Sequence, residues 1–279
     1  MTLLTLAPPL PGTNGSGPPL SPPILAVANQ KGGVGKTTTV AALGAALADR
    51  GLRVLLVDWD PQASLTSALG APSVPGAYSA LRAYLAGSEG VTLPVVRLPG
   101  GEHLVPGHLD LAAAELDLVH ADAREQTLAG LLAPLLPGYD LVLIDCPPAL
   151  GLLTVTALVA ASGVLIPVTP EYLAAQGLAR LDQTLGRVRR RLNRRLTTVG
   201  VLPTMVKLTT RHHREILADV ATWAAGCRIP LLPAIPATIK AAEAAGAGIA
   251  LPRFPDALSA GAVYRDVAQL LWPGEAPHA

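Results

Sequence analysis

The sequence predicts an α/β fold: one domain with a mostly parallel, twisted sheet and helices on both faces. Short apolar runs of strand length alternate with helical patterns along the chain, as in repeated βαβ units. The runs are apolar almost throughout, which is typical of strands buried on both faces. Chemically distinctive segments directly follow three of the runs, at the position where ligands of such sheets bind.

Strands and helices are predicted alternately in chain order. The strands cover residues 24–29, 53–58, 140–145, 163–167 and 198–202. The helices cover residues 37–50, 109–120, 153–161 and 173–196. Each strand is a short apolar run, and each helix has apolar residues at helical spacing. Because helices separate most of the strands, the strands are expected to run parallel.

The bulk composition indicates one globular domain preceded by a tail. Residues 1–23 are rich in Pro, Gly and Ser, so a disordered tail is predicted there and the domain is assigned to residues 24–279. Half of the 279 residues are apolar, enough for a sizeable core. The two cysteines suit neither a disulfide framework nor a zinc site. No apolar run reaches the ~18 residues of a membrane span, so a cytoplasmic protein without a membrane partner is expected.

The first strand leads into a glycine-rich turn that predicts a phosphate site. Residues 29–38 read NQKGGVGKTT. Glycines let successive N–H groups point into one anion-sized hollow, and the following helix adds its positive N-terminus, so the segment is a P-loop. The predicted nucleotide-binding residues of this loop are Gly32, Gly33, Val34, Gly35, Lys36, Thr37 and Thr38. Lys36 is expected to neutralise the β- and γ-phosphates, and the Thr37 hydroxyl to hold Mg²⁺. The general pattern has Gly where this loop has Gln30, and Lys31 follows directly.

Two further strands end in aspartates that fit phosphoryl transfer. Asp58 and Asp60 follow the second strand, and Asp145 ends the third. We expect Asp145 to hold Mg²⁺ through water, Asp58 to position the metal's surroundings or Lys36, and Asp60 to orient the attacking water. The alternative for Asp60 is that Asp-Pro only begins a turn.

Three segments in this order resemble the ParA/MinD branch of deviant Walker A ATPases, most closely its partition ATPases. They read KGGVGKTT (31–38), DWDPQ (58–62) and DCPP (145–148), and GLLTVTAL (151–158), GVLPTM (200–205) and IP (235–236) continue the likeness. The resemblance covers roughly residues 24–272 and implies a single P-loop NTPase domain that uses ATP and Mg²⁺. Adenine is favoured over guanine because the guanine-reading Asn-Lys-x-Asp motif is absent.

The resemblance also implies a role for Lys31. In the family this extra lysine reaches across a two-fold interface to the nucleotide of the other subunit, which gives an ATP-sandwich homodimer. Facing nucleotides repel unless cations stand between them, so a lysine supplied in trans links dimerisation to ATP. The expected catalytic residues are then Lys31, Lys36 and Asp60. A solvated loop lysine is the alternative for Lys31.

The resemblance places the adenine base near two later segments. They match residues 204–205 and 233–236 here, so Met205, Pro233 and Pro236 are expected to contact the nucleotide. The chain departs from the family at the next position, where Ala237 stands in place of the usual arginine. An arginine contribution to base binding is therefore absent at that position.

The second half of the chain is basic. Residues 1–173 carry 7 Lys and Arg against 13 Asp and Glu, whereas residues 174–279 carry 14 against 7. Arg187, Arg190, Arg191 and Arg194 recur at the spacing of one helix face, and Lys207, Arg211 and Arg214 follow. Lys240 matches a position where partition ATPases often carry a DNA-binding basic residue. Non-specific double-stranded DNA is one expected partner; a merely solvated helix face is the alternative.

The leading hypothesis is a slow, nucleoid-associated partition ATPase whose hydrolysis is stimulated by a ParB-type centromere-binding protein. A MinD-like ATPase acting on a membrane is the first alternative, but residues 273–279 lack the basic amphipathic helix that it would need. An orphan positioning ATPase with a protein cargo also remains open. A metabolic kinase would leave Lys31 without a role.

Overall fold

The computed structural model describes residues 22–74, 76–255 and 257–274, so nearly all of the predicted tail lies outside the described residues. The strands are β1 Ile24–Val27, β2 Val54–Asp58, β3 Val96–Arg97, β4 His103–Val105, β5 Leu141–Asp145, β6 Gly163–Val168 and β7 Thr197–Pro203. The helices are α1 Lys36–Ala48, α2 Ser64–Ala68, α3 Ala77–Leu85, α4 Leu111–Val119, α5 Thr127–Leu132, α6 Leu152–Ala160, α7 Ala174–Arg191, α8 Arg211–Gly226, α9 Lys240–Gly246 and α10 Leu258–Leu271.

The strands form one sheet in the order β3-β4-β2-β5-β1-β6-β7. All neighbouring pairs are parallel except β3 with β4. The predicted α/β class and mostly parallel sheet are therefore confirmed. Because β2, β5 and β1 are neighbouring parallel strands, the segments that follow them meet at the carboxyl edge of the sheet.

Helices cover both faces of the sheet, and β1 shows why its sequence is apolar throughout. Leu25 and Val27 belong to the core cluster beneath α1 and α10, whereas Ile24 and Ala26 belong to the cluster beneath α3 to α8. Successive strand residues point to opposite faces, so a strand covered on both sides needs no polar position. None of the helices in the described ranges combines the length and apolar character needed to cross a bilayer.

Two strands at the edge of the sheet were missed by the sequence analysis. Strand β3 has 2 residues and β4 has 3, too short for a periodic signal. They form a hairpin in which β4 pairs with β2 in parallel. The pairing of β4 with β2 places Gly107, two residues after β4, beside the carboxyl end of β2.

The helix predicted over residues 173–196 ends at Arg191, so the expected four-arginine stripe is wrong at its last member. Asn193 donates from its side-chain amide to the carbonyls of Leu158, Val159 and Ala161 at 3.0, 3.1 and 2.7 Å, which pulls the chain onto the end of α6. Arg194 therefore lies beyond the helix. Leu192, which follows the last helical residue, is 44% exposed, whereas the apolar residues on the inner face of the helix are buried: Leu178, Leu181, Leu185 and Val188.

Candidate active site at the carboxyl edge of the sheet

The turn between β1 and α1 holds a buried lysine at the start of a helix. Gly33 and Gly35 have φ of 72° and 81°, in the left-handed region that favours glycine. Lys36 begins α1 and is only 7% exposed. Its Nζ donates to the carbonyl of Lys31 at 3.3 Å. Burial lowers the pKa of Lys36, and Asp145, Cys146 and Asp60 oppose the shift. A buried ammonium at the start of a helix, within a glycine-rich loop, fits a site that binds a phosphate group.

The Thr37 hydroxyl and two strand-end carboxylates form the acidic part of the site. Thr37 Oγ1 donates to Asp145 Oδ2 at 2.7 Å. Asp58 and Asp145 are paired in register on β2 and β5. Burial raises the pKa of Asp145 to about 8, with a further rise from Asp58, while the Thr37 hydrogen bond and Lys36 oppose it. Burial also raises the pKa of Asp58.

These groups suit a magnesium ion. The Oδ1 atoms of Asp58 and Asp145 are buried without a hydrogen-bond partner among the described residues. Unpartnered carboxylate oxygens beside a hydroxyl are the hard oxygen donors that Mg²⁺ takes. The donor set therefore fits the predicted metal, with Thr37 and Asp145 nearest the phosphate loop.

Asp58 is fixed by residues that the sequence analysis missed. Its Oδ2 accepts hydrogen bonds from the backbone N and Oγ1 of Thr66 at 2.8 and 2.6 Å. Thr66 Oγ1 in turn accepts from the N–H of Gly107 at 2.8 Å. A Cβ on Gly107 would lie 2.6 Å from Asp58 Cγ, so only glycine fits there. This clamp holds Asp58 in place, as a positioning role requires.

Asp60 does begin a turn, in which Oδ1 of its carboxylate is bonded and Oδ2 is left to orient a water molecule. Asp60 Oδ1 accepts from the N–H of Gln62 at 2.9 Å, and the residue is 8% exposed. The adjacent Trp59 is fully buried and donates from Nε1 to Thr156 Oγ1 on α6 at 3.0 Å. The turn and the catalytic hypothesis are thus compatible, because the turn holds Asp60 at the edge of the site. Sequence reasoning missed the Trp59 anchor.

Lys31 differs from Lys36 in its surroundings. Its side chain is 50% exposed and forms an ion pair with Glu171, in the loop between β6 and α7. Its backbone N–H donates to Asn29 Oδ1 at 3.0 Å. Lys31 therefore lies at the surface of the site, and sequence reasoning missed Glu171 as its partner.

A cavity of about 490 Å³ adjoins the loop, large enough for a nucleoside. Met205 and Pro236, which were predicted to contact the nucleotide, line this cavity, as does Ala237, where the family usually has arginine. Pro233, expected with them, is not among the lining residues. The isolated bridge of Val206 with Pro236 brings the chain to the cavity only after Pro233. Further lining residues include Gly35, Thr38, Thr204, Ile235, Thr238 and Tyr264.

The topology divides the predicted DNA-binding residues into two groups at opposite edges of the sheet. The α7 group comprises Arg187, Arg190, Arg191 and Arg194 and lies at the end of α7, shortly before the amino end of β7. The site-side group comprises Lys207, Arg211, Arg214 and Lys240 and follows the carboxyl end of β7, beside the cavity. All except Lys240 are exposed, and Lys240 forms an ion pair with Glu243. The element order thus divides the predicted residues between two parts of the fold.

Comparison with known sequences places the chain in a family. A family model described as an AAA domain matches residues 23–198. An uncharacterised protein of Mycobacterium tuberculosis is 45% identical over 200 residues, which are 71% of this chain and 62% of that protein. The chromosome-partitioning ATPase Soj of Treponema pallidum is 40% identical over 243 residues, covering 85% of this chain and 92% of that protein.

Solved structures agree with this placement. A Mycobacterium smegmatis structure named cobyrinic acid a,c-diamide synthase, with bound ADP and magnesium, is 38% identical with a TM-score of 0.74, covering 92% of this chain and 98% of that one. The ATP complex of a substituted McdA from Cyanothece is 25% identical with a TM-score of 0.76, covering 90% and 96%. On sequence, motifs and fold, the chain belongs to the ParA/MinD family of P-loop ATPases.

Proposed function

We propose that this chain is an ATP-dependent partition ATPase of the cytoplasm and nucleoid. Its ATP-sandwich homodimer binds non-specific double-stranded DNA, and a ParB-type partner stimulates slow hydrolysis that releases it. The observation that carries the proposal is the unequal burial of the two loop lysines. Lys36 is buried at the start of α1, whereas Lys31 is half exposed and pairs with a surface carboxylate. A half-exposed lysine at the surface is placed where it can reach a nucleotide outside its own subunit.

Within one subunit, the loop and the strand ends supply the groups for hydrolysis. Lys36 neutralises the terminal phosphates, and the loop N–H groups bind their oxygens. Thr37 and Asp145 would hold Mg²⁺, which, when bound, offsets charge on the phosphates. Asp60 orients the attacking water. Phosphoryl transfer has a loose transition state, so these positioning and electrostatic effects account for most of the catalysis.

Across the dimer, Lys31 bridges to the nucleotide of the other subunit. Each ammonium offsets repulsion between the two polyanionic nucleotides, and charge-assisted hydrogen bonds to phosphate are stronger than neutral ones. Loss of the γ-phosphate removes part of this attraction. The dimer therefore forms with ATP and weakens after hydrolysis.

The name of the Mycobacterium smegmatis neighbour points to amide synthesis, which the site supports less well. Release of ammonia from glutamine commonly uses a reactive thiolate. Cys146 is fully buried, and burial raises the pKa of its thiol. Cys227 lies at the end of α8, and neither cysteine lines the cavity beside the phosphate loop.

A second candidate function is positioning of a membrane or protein cargo, which the same ATP-dependent dimer would serve.

The test is binding of the purified protein to duplex DNA with ATP, with ADP and without nucleotide, each at two salt concentrations. Binding only with ATP, weakened at high salt, is the expected result because phosphate contacts release counterions. Asp60→Ala should retain the ATP-bound, DNA-competent dimer, and Lys31→Ala should bind ATP without dimerising. DNA binding that ignores nucleotide, or its absence in every state, would reject the partition role, and vesicle binding would then test the membrane alternative.

A further inference from the structure

We propose that Glu171 holds Lys31 within its own subunit and so sets the threshold for the nucleotide-dependent dimer. The inference rests on the proposed function, in which Lys31 acts on the nucleotide of the other subunit. It assigns to Glu171 a positioning role that opposes dimerisation. Lys31 must leave Glu171 before it can reach across the interface.

The Glu171 carboxylate is held in place before Lys31 arrives. Its Oε1 accepts a hydrogen bond from Thr169 Oγ1 at 3.0 Å, which leaves Oε2 for the Lys31 ammonium. The Glu171 N–H also donates to the Thr169 carbonyl at 2.8 Å. The Lys31 hydrogen bond, the Thr169 hydrogen bond and nearby His213 all lower the pKa of Glu171. The carboxylate is therefore ionised and oriented at neutral pH.

Lys31 is fixed at its backbone and mobile only in its side chain. Its N–H donates to Asn29 Oδ1, and the Asn29 amide donates to the Pro167 carbonyl on β6 at 2.6 Å. The two loops that carry Lys31 and Glu171 are thus tied together through Asn29. Exchange of Lys31 between Glu171 and a phosphate needs only side-chain rotation, which is fast.

The Glu171 carboxylate and the nucleotide of the facing subunit compete for Lys31. The ion pair therefore opposes dimerisation without preventing it. Both side chains are half exposed or more, and an exposed pair contributes little because water and salt screen it. A polyanionic nucleotide on a facing subunit offers more negative charge than one carboxylate. Lys31 therefore stays on Glu171 without a partner nucleotide and leaves when the sandwich forms.

The expected effect of Glu171→Gln is a tighter dimer. Loss of one exposed ion pair is worth about 2- to 5-fold. Two pairs break for each dimer, so the dimer dissociation constant should fall about 4- to 25-fold. The measurement is sedimentation with a slowly hydrolysed ATP analogue. Asp182→Asn is the control, because Asp182 is 33% exposed and pairs with Arg189 along α7, away from this loop. It should leave the constant unchanged.

A second measurement needs no dimer. In the nucleotide-free monomer, Glu171→Gln should raise the acylation rate of the Lys31 amine, followed by mass spectrometry, because the amine is no longer held against a carboxylate and is more accessible to the reagent. An unchanged acylation rate would show that Glu171 does not hold the Lys31 ammonium in an ion pair. If Glu171→Gln raises the acylation rate but weakens the dimer, Glu171 does not oppose dimerisation. It would then contact the other subunit, and the proposed role of Glu171 would be wrong. If Lys31→Ala dimerises as well as wild type, the role of Lys31 in trans fails separately.

Discussion

The hydrogen bond from Trp59 to Thr156 ties the Asp60 turn to helix α6, and Thr156→Val tests its importance. Valine keeps the shape of the side chain and removes the acceptor of the Trp59 Nε1–H. Trp59 is fully buried, so no water can replace that acceptor. A buried donor left without a partner costs about 1–3 kcal/mol. The lost bond from Thr156 to the Leu153 carbonyl adds little, because that carbonyl lies within the same helix.

The measurement is urea unfolding followed by circular dichroism. With a slope of about 2 kcal/mol/M, the midpoint should fall by about 0.5–1.5 M. Thr222→Val is the control, because Thr222 is exposed and bonds only to its own helix. ATP hydrolysis should slow with nucleotide affinity retained, since neither Trp59 nor Thr156 lines the cavity. An unfolding midpoint equal to that of the control would refute the anchoring role.

Further substitutions test the loop and the carboxylates. Lys36→Ala should abolish nucleotide binding in calorimetry, because Lys36 is the only buried lysine or arginine in the part of the chain that the structure describes; retained affinity would remove Lys36 from the site. Gly107→Ala should cost about 1–3 kcal/mol in urea unfolding and weaken magnesium-dependent nucleotide binding, since its Cβ would lie 2.6 Å from Asp58 Cγ. Gly138→Ala meets nothing within 4 Å and serves as the control. The raised pKa of Asp145, about 8 against 3.8, means that the folded state holds a proton that the unfolded state has lost. Stability of the ligand-free protein should therefore fall as pH rises from about 4 to 8, and Asp145→Asn should flatten that decline in unfolding at pH 6 and pH 8.

The central strands and the phosphate loop were predictable because their signals are local. A buried parallel strand is a continuous apolar run, and Asp58 and Asp145 end two such runs. The loop needs its glycines and Lys36 within a few residues of each other. Chain order then sufficed to place these groups at one edge, because parallel strands bring their carboxyl ends together.

The supports of the site could not be predicted, because they join distant parts of the sequence. Thr66 and Gly107 are 41 residues apart, and Trp59 and Thr156 are 97 apart. Strand β4, which delivers Gly107, is too short for a periodic signal. The end of α7 likewise depends on contacts of Asn193 with α6, which no helix pattern contains.

The positions of the α7 group and the site-side group predict different roles in DNA binding. Helix α7 has 18 residues, so the α7 group lies about 25 Å from the carboxyl edge. A two-fold dimer that sandwiches nucleotides at that edge brings both copies of the site-side group towards each other and leaves the α7 groups apart. Only the site-side group is therefore placed to respond to ATP.

Salt dependence separates the two groups. Arg211→Gln with Arg214→Gln removes four exposed charges from a dimer. If all four contact phosphates, the slope of log affinity against log salt should shrink by about 3–4. Neutralising Arg187, Arg190 and Arg191 together should leave the dependence on ATP intact. If that triple variant instead loses ATP-dependent binding while the Arg211 and Arg214 variant keeps it, the DNA must lie along α7, and the dimer must present the amino edge of the sheet.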